Sequence, residues 1–406
     1  MTVQALLRPV DRQQADIRTE LAGFAQFGAP TRIETSGGID YYINEFWTAR
    51  QRQAARLHEI SYRACFKPQL PAFFIDRLTR PGDVVYDPFM GRGTTLVEAA
   101  LRGRVPFGND INPLSRTMTA PRLNTPHLDD VFSRLRQIPW QEFTSIAHEE
   151  LLTFYHPGTL ALIEGLRGWL LRRKAEGLGD ALDEWIAMVS VNRLTGHSPG
   201  FFSVYTLPPN QAASVQSQRR INEARGQTPP FRDVADLIAR KSKVLLSDGP
   251  VSADRSLILT GQANSTSRIA EGEVALTVTS PPFLDIVDYE ADNWLRCWFL
   301  GIDPGGVPIS RHRKLEDWQG FVSAVLAELT RVTRPGGHIA FEVGEVRNGS
   351  VRLEEAVVAA AAGLPLDPLG VMVNQQDFTK TSNCWGIANN ARGTNTNRIV
   401  LFRRQG

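Results

Sequence analysis

Asp87-Pro88-Phe89-Met90-Gly91-Arg92-Gly93-Thr94-Thr95 is the stretch on which the fold turns. It follows Val84-Val85-Tyr86, a short apolar run fit for a buried parallel strand, and it opens into 94–101, which reads as a helix. Glycines at such a junction permit positive φ and let a ligand lie against backbone at a helix N-terminus. A second strand, 105–109, ends on Asp110, 19 residues beyond Gly91. Strand, glycine loop, helix, strand and acid make the first half of a nucleotide-type α/β fold.

The loop departs from the two phosphate-binding patterns. No third glycine stands three residues after Gly93, and no Lys-Ser/Thr closes the loop. A carboxylate at a strand end suits a cationic or amine-bearing ligand better than a pyrophosphate, and Asp110 can accept both hydroxyls of a ribose. S-adenosylmethionine carries a sulfonium, an amine and a ribose, and no phosphate. The plainer alternative is a tight strand-to-helix turn with structural glycines.

Downstream, the α/β pattern resumes. Residues 257–259 and 274–278 read as strands, the second ending on Thr279-Ser280-Pro281-Pro282-Phe283. A helix over 314–333 stops at Arg334-Pro335-Gly336-Gly337 and leads to a strand at 339–343. A helix over 353–362 follows, then strands at 371–374 and 398–402 that should pair antiparallel at one sheet edge. Upstream, 1–45 reads as an irregular lead-in and 46–64 as a basic amphipathic helix. Residues 121–250 differ: helices at 149–174 and 181–192, then polar loops after Thr195, with no glycine-loop unit.

Two consecutive prolines cannot continue a central strand. At Ser280-Pro281-Pro282-Phe283 they stiffen the backbone and aim acceptors, and an aromatic beside them can stack on a flat ring. That arrangement answers a specific difficulty. An exocyclic amine is a poor nucleophile because its lone pair is delocalised into the ring. Hydrogen bonds from its N–H groups to the Ser280 side chain and to a nearby backbone carbonyl would turn it toward tetrahedral geometry, which is catalysis by positioning and electrostatics. Read alone, the segment is equally a strand end with a Pro-Pro loop and a core Phe.

DPFMGRGTT resembles the D-P-F-x-G-x-G-T-T cofactor motif of the amino-type (cytosine-N4 / adenine-N6) S-adenosylmethionine-dependent DNA methyltransferases. Ser280-Pro281-Pro282-Phe283 is similar to that family's (D/N/S)-P-P-(Y/F) tetrapeptide, Phe66 to Pro71 to the segment ahead of the cofactor loop, and 109–113 to its ribose-binding strand end. The resemblance spans about 62–120 and 255–404. It implies an α/β fold: a seven-stranded, mostly parallel Rossmann-like methyltransferase sheet with an inserted helical subdomain between the second and third strands. The expected parts are a lead-in and basic helix at 1–61, a cofactor-binding half at 62–120, a helical target-recognition insertion at 121–254 and a catalytic half at 255–406. S-adenosylmethionine is the implied cofactor, held by Lys67, Pro68, Asp87, Phe89, Gly91, Gly93, Thr94, Thr95, Asp110, Ile111, Gln262 and Thr279. Gln262 stands where the family usually carries Asp. Ser280, Pro281, Pro282 and Phe283 are the implied catalytic residues.

The implied activity is site-specific methylation of the exocyclic N4 of cytosine in duplex DNA, by base flipping and direct displacement. A Ser in the tetrapeptide favours cytosine N4. The order of motifs along the chain, cofactor loop before tetrapeptide, is the opposite of many cytosine-N4 enzymes and keeps adenine N6 open. Carbon-5 chemistry needs a thiolate in a Pro-Cys context, and none of Cys65, Cys297 and Cys384 follows a proline. An RNA methyltransferase and a non-catalytic DNA-binding protein are the remaining alternatives.

The 406 residues carry a net charge of +2, so any nucleic-acid footprint must be local. The stretch 191–245 holds eight Lys/Arg against three acids. Arg193, His197, Arg219, Arg220 and Arg225 are its candidate DNA contacts; a solvated helical face and a satisfied loop histidine are the plainer readings. Tyr289, Trp294 and Trp298 fit either the core or a wall of the base pocket. The polar stretch 380–398 reads as a loop near the target base. No CxxC pair or ligand cluster points to a disulfide framework or a metal, and no apolar run nears the ~18 residues of a membrane span. The expectation is a cytoplasmic protein partnered by double-stranded DNA, with a cognate restriction endonuclease as a candidate partner.

Overall fold

A computed structural model describes residues 16–48, 54–63, 65–283, 289–309, 312, 314–344, 351–375 and 396–406. The strands are β1 (Arg32–Ser36), β2 (Ile39–Asn44), β3 (Val84–Asp87), β4 (Val105–Asp110), β5 (Leu257–Thr260), β6 (Val274–Thr279), β7 (Thr333–Val343), β8 (Leu366–Gln375) and β9 (Thr396–Arg404). They form one sheet in the order β1-β2-β8-β9-β7-β6-β3-β4-β5. β7, β6, β3, β4 and β5 run parallel, and β9 lies antiparallel between β7 and β8. From β3 the chain winds outward through β4 to β5, then returns to β6 on the other side of β3 and continues to β7. The carboxyl ends of β3 and β6 therefore meet at the point where winding reverses, which is where open α/β sheets leave a ligand crevice.

The sheet has nine strands among the described residues, not the seven expected. The two extra strands come from the stretch read as an irregular lead-in. Gly37 and Gly38, with φ of 58° and 77°, form the two-residue turn that joins β1 to β2, a connection glycine favours because both central residues need positive φ. β2 then pairs parallel with β8. The late pair β8–β9 is consequently internal, and β1 is the edge.

The helices are α1 (Ile17–Ala22), α2 (Gln69–Leu78), α3 (Thr94–Leu101), α4 (Pro113–Leu123), α5 (Leu128–Gln137), α6 (Pro157–Ala175), α7 (Ala181–Val191), α8 (Val215–Arg225), α9 (Val234–Leu245), α10 (Tyr289–Leu300), α11 (Leu315–Val332) and α12 (Leu353–Ala360). α11 and α12 cover one face of the sheet with Trp318, Leu326, Leu329 and Val357. α1 and α2 cover the other with Leu21, Phe73 and Phe74. A further core joins α5, α6, α7 and α9 to Leu96 and Val97 of α3, Met118 of α4, and Leu295 and Phe299 of α10. The helix-rich middle of the chain is thus packed onto the cofactor-loop helix.

Two sequence expectations give way here. The helix expected over 149–174 is broken: a 3-10 turn at Glu149–Thr153 precedes α6, whose first residue is Pro157. Proline fits the first helical position because it has no N–H to satisfy there. The basic helix expected over 46–64 does not form in its described part, where only Arg56–His58 makes a 3-10 turn. Its carbonyls are taken by arginines instead: Leu57 O by Arg122 at 2.9 Å, Ile60 O by Arg92 at 2.8 Å and Ser61 O by Arg296 at 3.1 Å. Among the described residues no helix is long and apolar enough to cross a membrane.

Candidate active site

β3 ends on Asp87, and the chain turns at once through Gly91 and Gly93 into α3. Gly91 has φ 49° and Gly93 φ 76°. A Cβ on Gly93 would lie 2.4 Å from Thr119 Cγ2. Gly93→Ala combines a left-handed backbone cost with overpacking, and is expected to lower the unfolding free energy by about 2–4 kcal/mol. A urea titration giving wild-type stability would show that the loop adopts another conformation.

Asp87 is buried and takes hydrogen bonds from the Thr279 hydroxyl at 2.6 Å and the Phe89 amide at 3.1 Å. Burial pushes its carboxyl up to about 7, with those donors pulling it back. Thr279 is the last residue of β6, so this one bond joins the cofactor loop to the Pro-Pro segment. Thr95 adds a second tie, its hydroxyl donating to Val278 O at 3.1 Å. Asp110, at the tip of β4, accepts from the amides of Gly91 at 2.8 Å and Asn112 at 2.9 Å. Burial raises its pKa and the two amides oppose that. Each carboxylate oxygen keeps a further lone pair for a ligand hydroxyl.

These groups surround one cleft. Of the residues assigned from sequence to the cofactor, Asp87, Phe89, Gly91, Thr94, Asp110, Ile111 and Gln262 line it. Gly93, Thr95 and Thr279 lie behind the wall as its supports. Lys67 and Pro68 do not line it; they lead into α2, and their neighbour Phe66 is the lining residue. Ser280 and Pro282 line the cleft as well. Pro281 is buried, and the Pro282 carbonyl is anchored by the Trp318 indole N–H at 2.9 Å. Phe283 turns away: a Cβ on Gly344 would meet its ring at 2.6 Å. The aromatic rings that do face the cleft are Tyr62, Phe66, Phe89 and Phe321.

The Ser280 hydroxyl donates to Glu342 Oε2, and Asn397 donates to Glu342 Oε1 at 3.0 Å. Sequence reading passed over both partners. The signal was present for Glu342, a lone acid inside the apolar run His338 to Val343.

The insertion residues sit elsewhere. Arg193 is largely buried, its guanidinium 4.0 Å over the Phe201 ring, and His197 is exposed beside the same ring. Arg219, Arg220 and Arg225 are exposed on α8, with Arg225 stacked 3.8 Å over the Tyr205 ring. None of the five lines the cleft. Part of the basic excess of 191–245 is neutralised by pairing of Arg240 with Asp236 at 2.8 Å and Lys241 with Glu59 at 2.9 Å. Trp294 donates to Ala213 O at 3.2 Å and Trp298 packs on His148, so both belong to the insertion core. Most of the polar stretch 380–398 lies outside the described residues.

Residues 25–118, the cofactor loop included, match the family model for the N6/N4-type DNA methylases. The chain is 44% identical over 54 residues to the type II methyltransferase M.MjaII of Methanocaldococcus jannaschii, covering 13% of this chain and 10% of that protein. It is 37% identical over 94 residues to the type II methyltransferase M.MvaI of Kocuria varians, covering 22% of this chain and 20% of that protein. The matches therefore span a fifth or less of the length of these relatives. The solved structure of TrmN from Thermus thermophilus aligns over 84% of this chain and 50% of that one, at 11% identity and a TM-score of 0.32, too distant a likeness to bear on the site. Over 25–118, the stretch that carries the glycine loop at the sheet's switch point, the chain is similar to the amino-type (N4/N6) DNA methylases.

Proposed function

We propose that the chain transfers the methyl group of S-adenosylmethionine to an exocyclic amine of a base in duplex DNA, with cytosine N4 favoured over adenine N6. The observation that carries the proposal is the Thr279–Asp87 hydrogen bond of 2.6 Å, which fixes Ser280 beside the glycine loop in a single cleft. The residues present fit the cofactor. Gly91 leaves bare backbone at the cleft floor, Asp87 offers a buried carboxylate to an ammonium, and Asp110 has lone pairs for ribose hydroxyls. Ile111 and Gln262 would meet the adenine face and edge. When bound, S-adenosylmethionine supplies an electrophilic methyl group on a sulfonium.

The remaining work falls to this chain's own side chains. Ser280 accepts one N–H of the amine, and a carbonyl of the Pro-Pro turn accepts the other, which frees the nitrogen lone pair. The cleft-facing rings of Phe89 and Phe321, 5.8 Å apart, give an extruded base apolar cover. A base inside a duplex cannot reach this depth, so it must flip out. The exposed Arg219, Arg220 and Arg225 on α8 are proposed to hold phosphates.

Mass spectrometry of nucleosides from DNA of cells expressing the protein tests the reading. N4-methyl-2′-deoxycytidine is expected. N6-methyl-2′-deoxyadenosine alone would move the target to adenine, and new methylated ribonucleosides in RNA with none in DNA would replace the substrate. A cognate endonuclease would show itself as cleavage at the same, unmethylated sites.

A further inference from the structure

We propose that Glu342 is a positioning residue and proton acceptor that acts through Ser280, a role that rests on the amine-methylation reading above. Ser280 lines the cleft, yet its hydroxyl proton points into the protein, toward Glu342 Oε2. With that proton turned inward, Ser280 shows the cleft only oxygen lone pairs, the polarity an amine N–H requires. Glu342 is buried in β7 and does not line the cleft.

Its surroundings are costly for a purely structural carboxylate. The two donors to it are neutral, Ser280 and Asn397. Arg398, next on β9 to the Glu342 strand partner Ile399, is engaged by Glu354 at 2.8 Å, and Asp87, two strands away on β3, is held by Thr279 and Phe89. A glutamine at 342 could accept from Ser280 and bond the Asn397 amide without burying a charge. What only the carboxylate adds is a place for a proton. Burial raises the Glu342 pKa, with the Ser280 and Asn397 bonds pulling it down, so it is a better proton acceptor than a solvated glutamate.

The balance is simple. The N–CH₃ bond forms as the S–CH₃ bond of the sulfonium breaks and its electron pair stays on sulfur. The methylated nitrogen then holds one proton too many. That proton passes to Ser280 Oγ while the proton of Ser280 moves to Glu342 Oε2. The product leaves as a neutral methylamino base, and the Glu342 carboxylic acid returns its proton to water.

The test compares wild type and Glu342→Gln with tritiated S-adenosylmethionine and unmethylated chromosomal DNA across pH. Glu342→Gln is expected to lower kcat about 100-fold and to erase the acid limb of the kcat profile. Calorimetric affinity for S-adenosylmethionine should stay within about twofold. Infrared titration of protein carrying ¹³C-carboxyl glutamate gives a readout independent of turnover: a carboxyl band titrating above the ordinary glutamate range, lost in Glu342→Gln. Asn397→Ala removes one stabilising donor and is expected to move the acid limb to higher pH; it serves also if Glu342→Gln does not fold. An acid limb that persists unchanged in Glu342→Gln, or fails to move in Asn397→Ala, overturns the relay and leaves the methylation reading standing. A wild-type chain that labels no DNA overturns the methylation reading itself, and the relay with it.

Discussion

Ser280→Ala is expected to lower kcat for methyl transfer by about two to three orders of magnitude, the scale seen when one preorganised polar partner of a reacting group is removed. The residue supplies an acceptor that matters most as the amine nitrogen becomes tetrahedral, so the loss should fall on kcat more than on binding. S-adenosylmethionine affinity should stay near wild type, because the ties that shape the cofactor loop run through Thr279 and Asp87 rather than Ser280. The alanine also strips one of the two donors from buried Glu342, which is expected to cost about 1–3 kcal/mol of stability. Thermal melts therefore accompany the kinetics, so that a lower folded fraction is not counted as lost chemistry. Full activity in Ser280→Ala would end the assignment of this serine.

Asp110→Ala should show the reverse pattern. Its carboxylate holds the Gly91 and Asn112 amides at 2.8 and 2.9 Å and, in the proposed function, the ribose. Charge-assisted bonds of this kind are worth about 1.5–3 kcal/mol each. The affinity for S-adenosylmethionine is expected to fall by about 100-fold, equivalent to about 2.8 kcal/mol, with kcat at saturating cofactor much less affected. Asp110→Asn keeps one acceptor oxygen and should fall between the two. Calorimetry decides, and an Asp110→Ala affinity within about twofold of wild type would remove Asp110 from the cofactor site.

Much of the cleft was legible because its parts are local. A strand tip, two glycines and an acid at the next strand tip are fixed within 84–110, and the tetrapeptide is contiguous. What was not legible depends on partners far away in the chain. Nothing in Ile39–Asn44 says that β8 will accept it, with Arg32–Ser36 carried along as the edge. The stretch 54–62 has apolar residues at helical spacing, yet Arg92, Arg122 and Arg296 take its carbonyls, and no local pattern foretells that. The Glu342–Ser280 bond spans 62 residues. Phe283 was read as a base-stacking ring from its place beside the prolines, but the close backbone at Gly344 receives it instead. Phe321, on a helix facing the sheet, carries no sequence mark that separates it from the core residues of α11.

The pairing of β2 with β8 sets a timetable for making the protein. Phe46 and Asn374, bonded through the Phe46 amide at 2.7 Å, stand 328 residues apart. At ribosomal rates that interval is on the order of tens of seconds. Throughout it, Phe46 and Trp47 can meet Phe24 and Phe73, but β2 lacks its β8 partner and the Phe46 and Trp47 amides lack Asn374. The hairpin β1–β2 can close at once on its glycine turn, but a lone two-stranded ribbon is marginal in water. The β1–β2 hairpin is therefore made early and gains its place in the sheet only when β8 has been made.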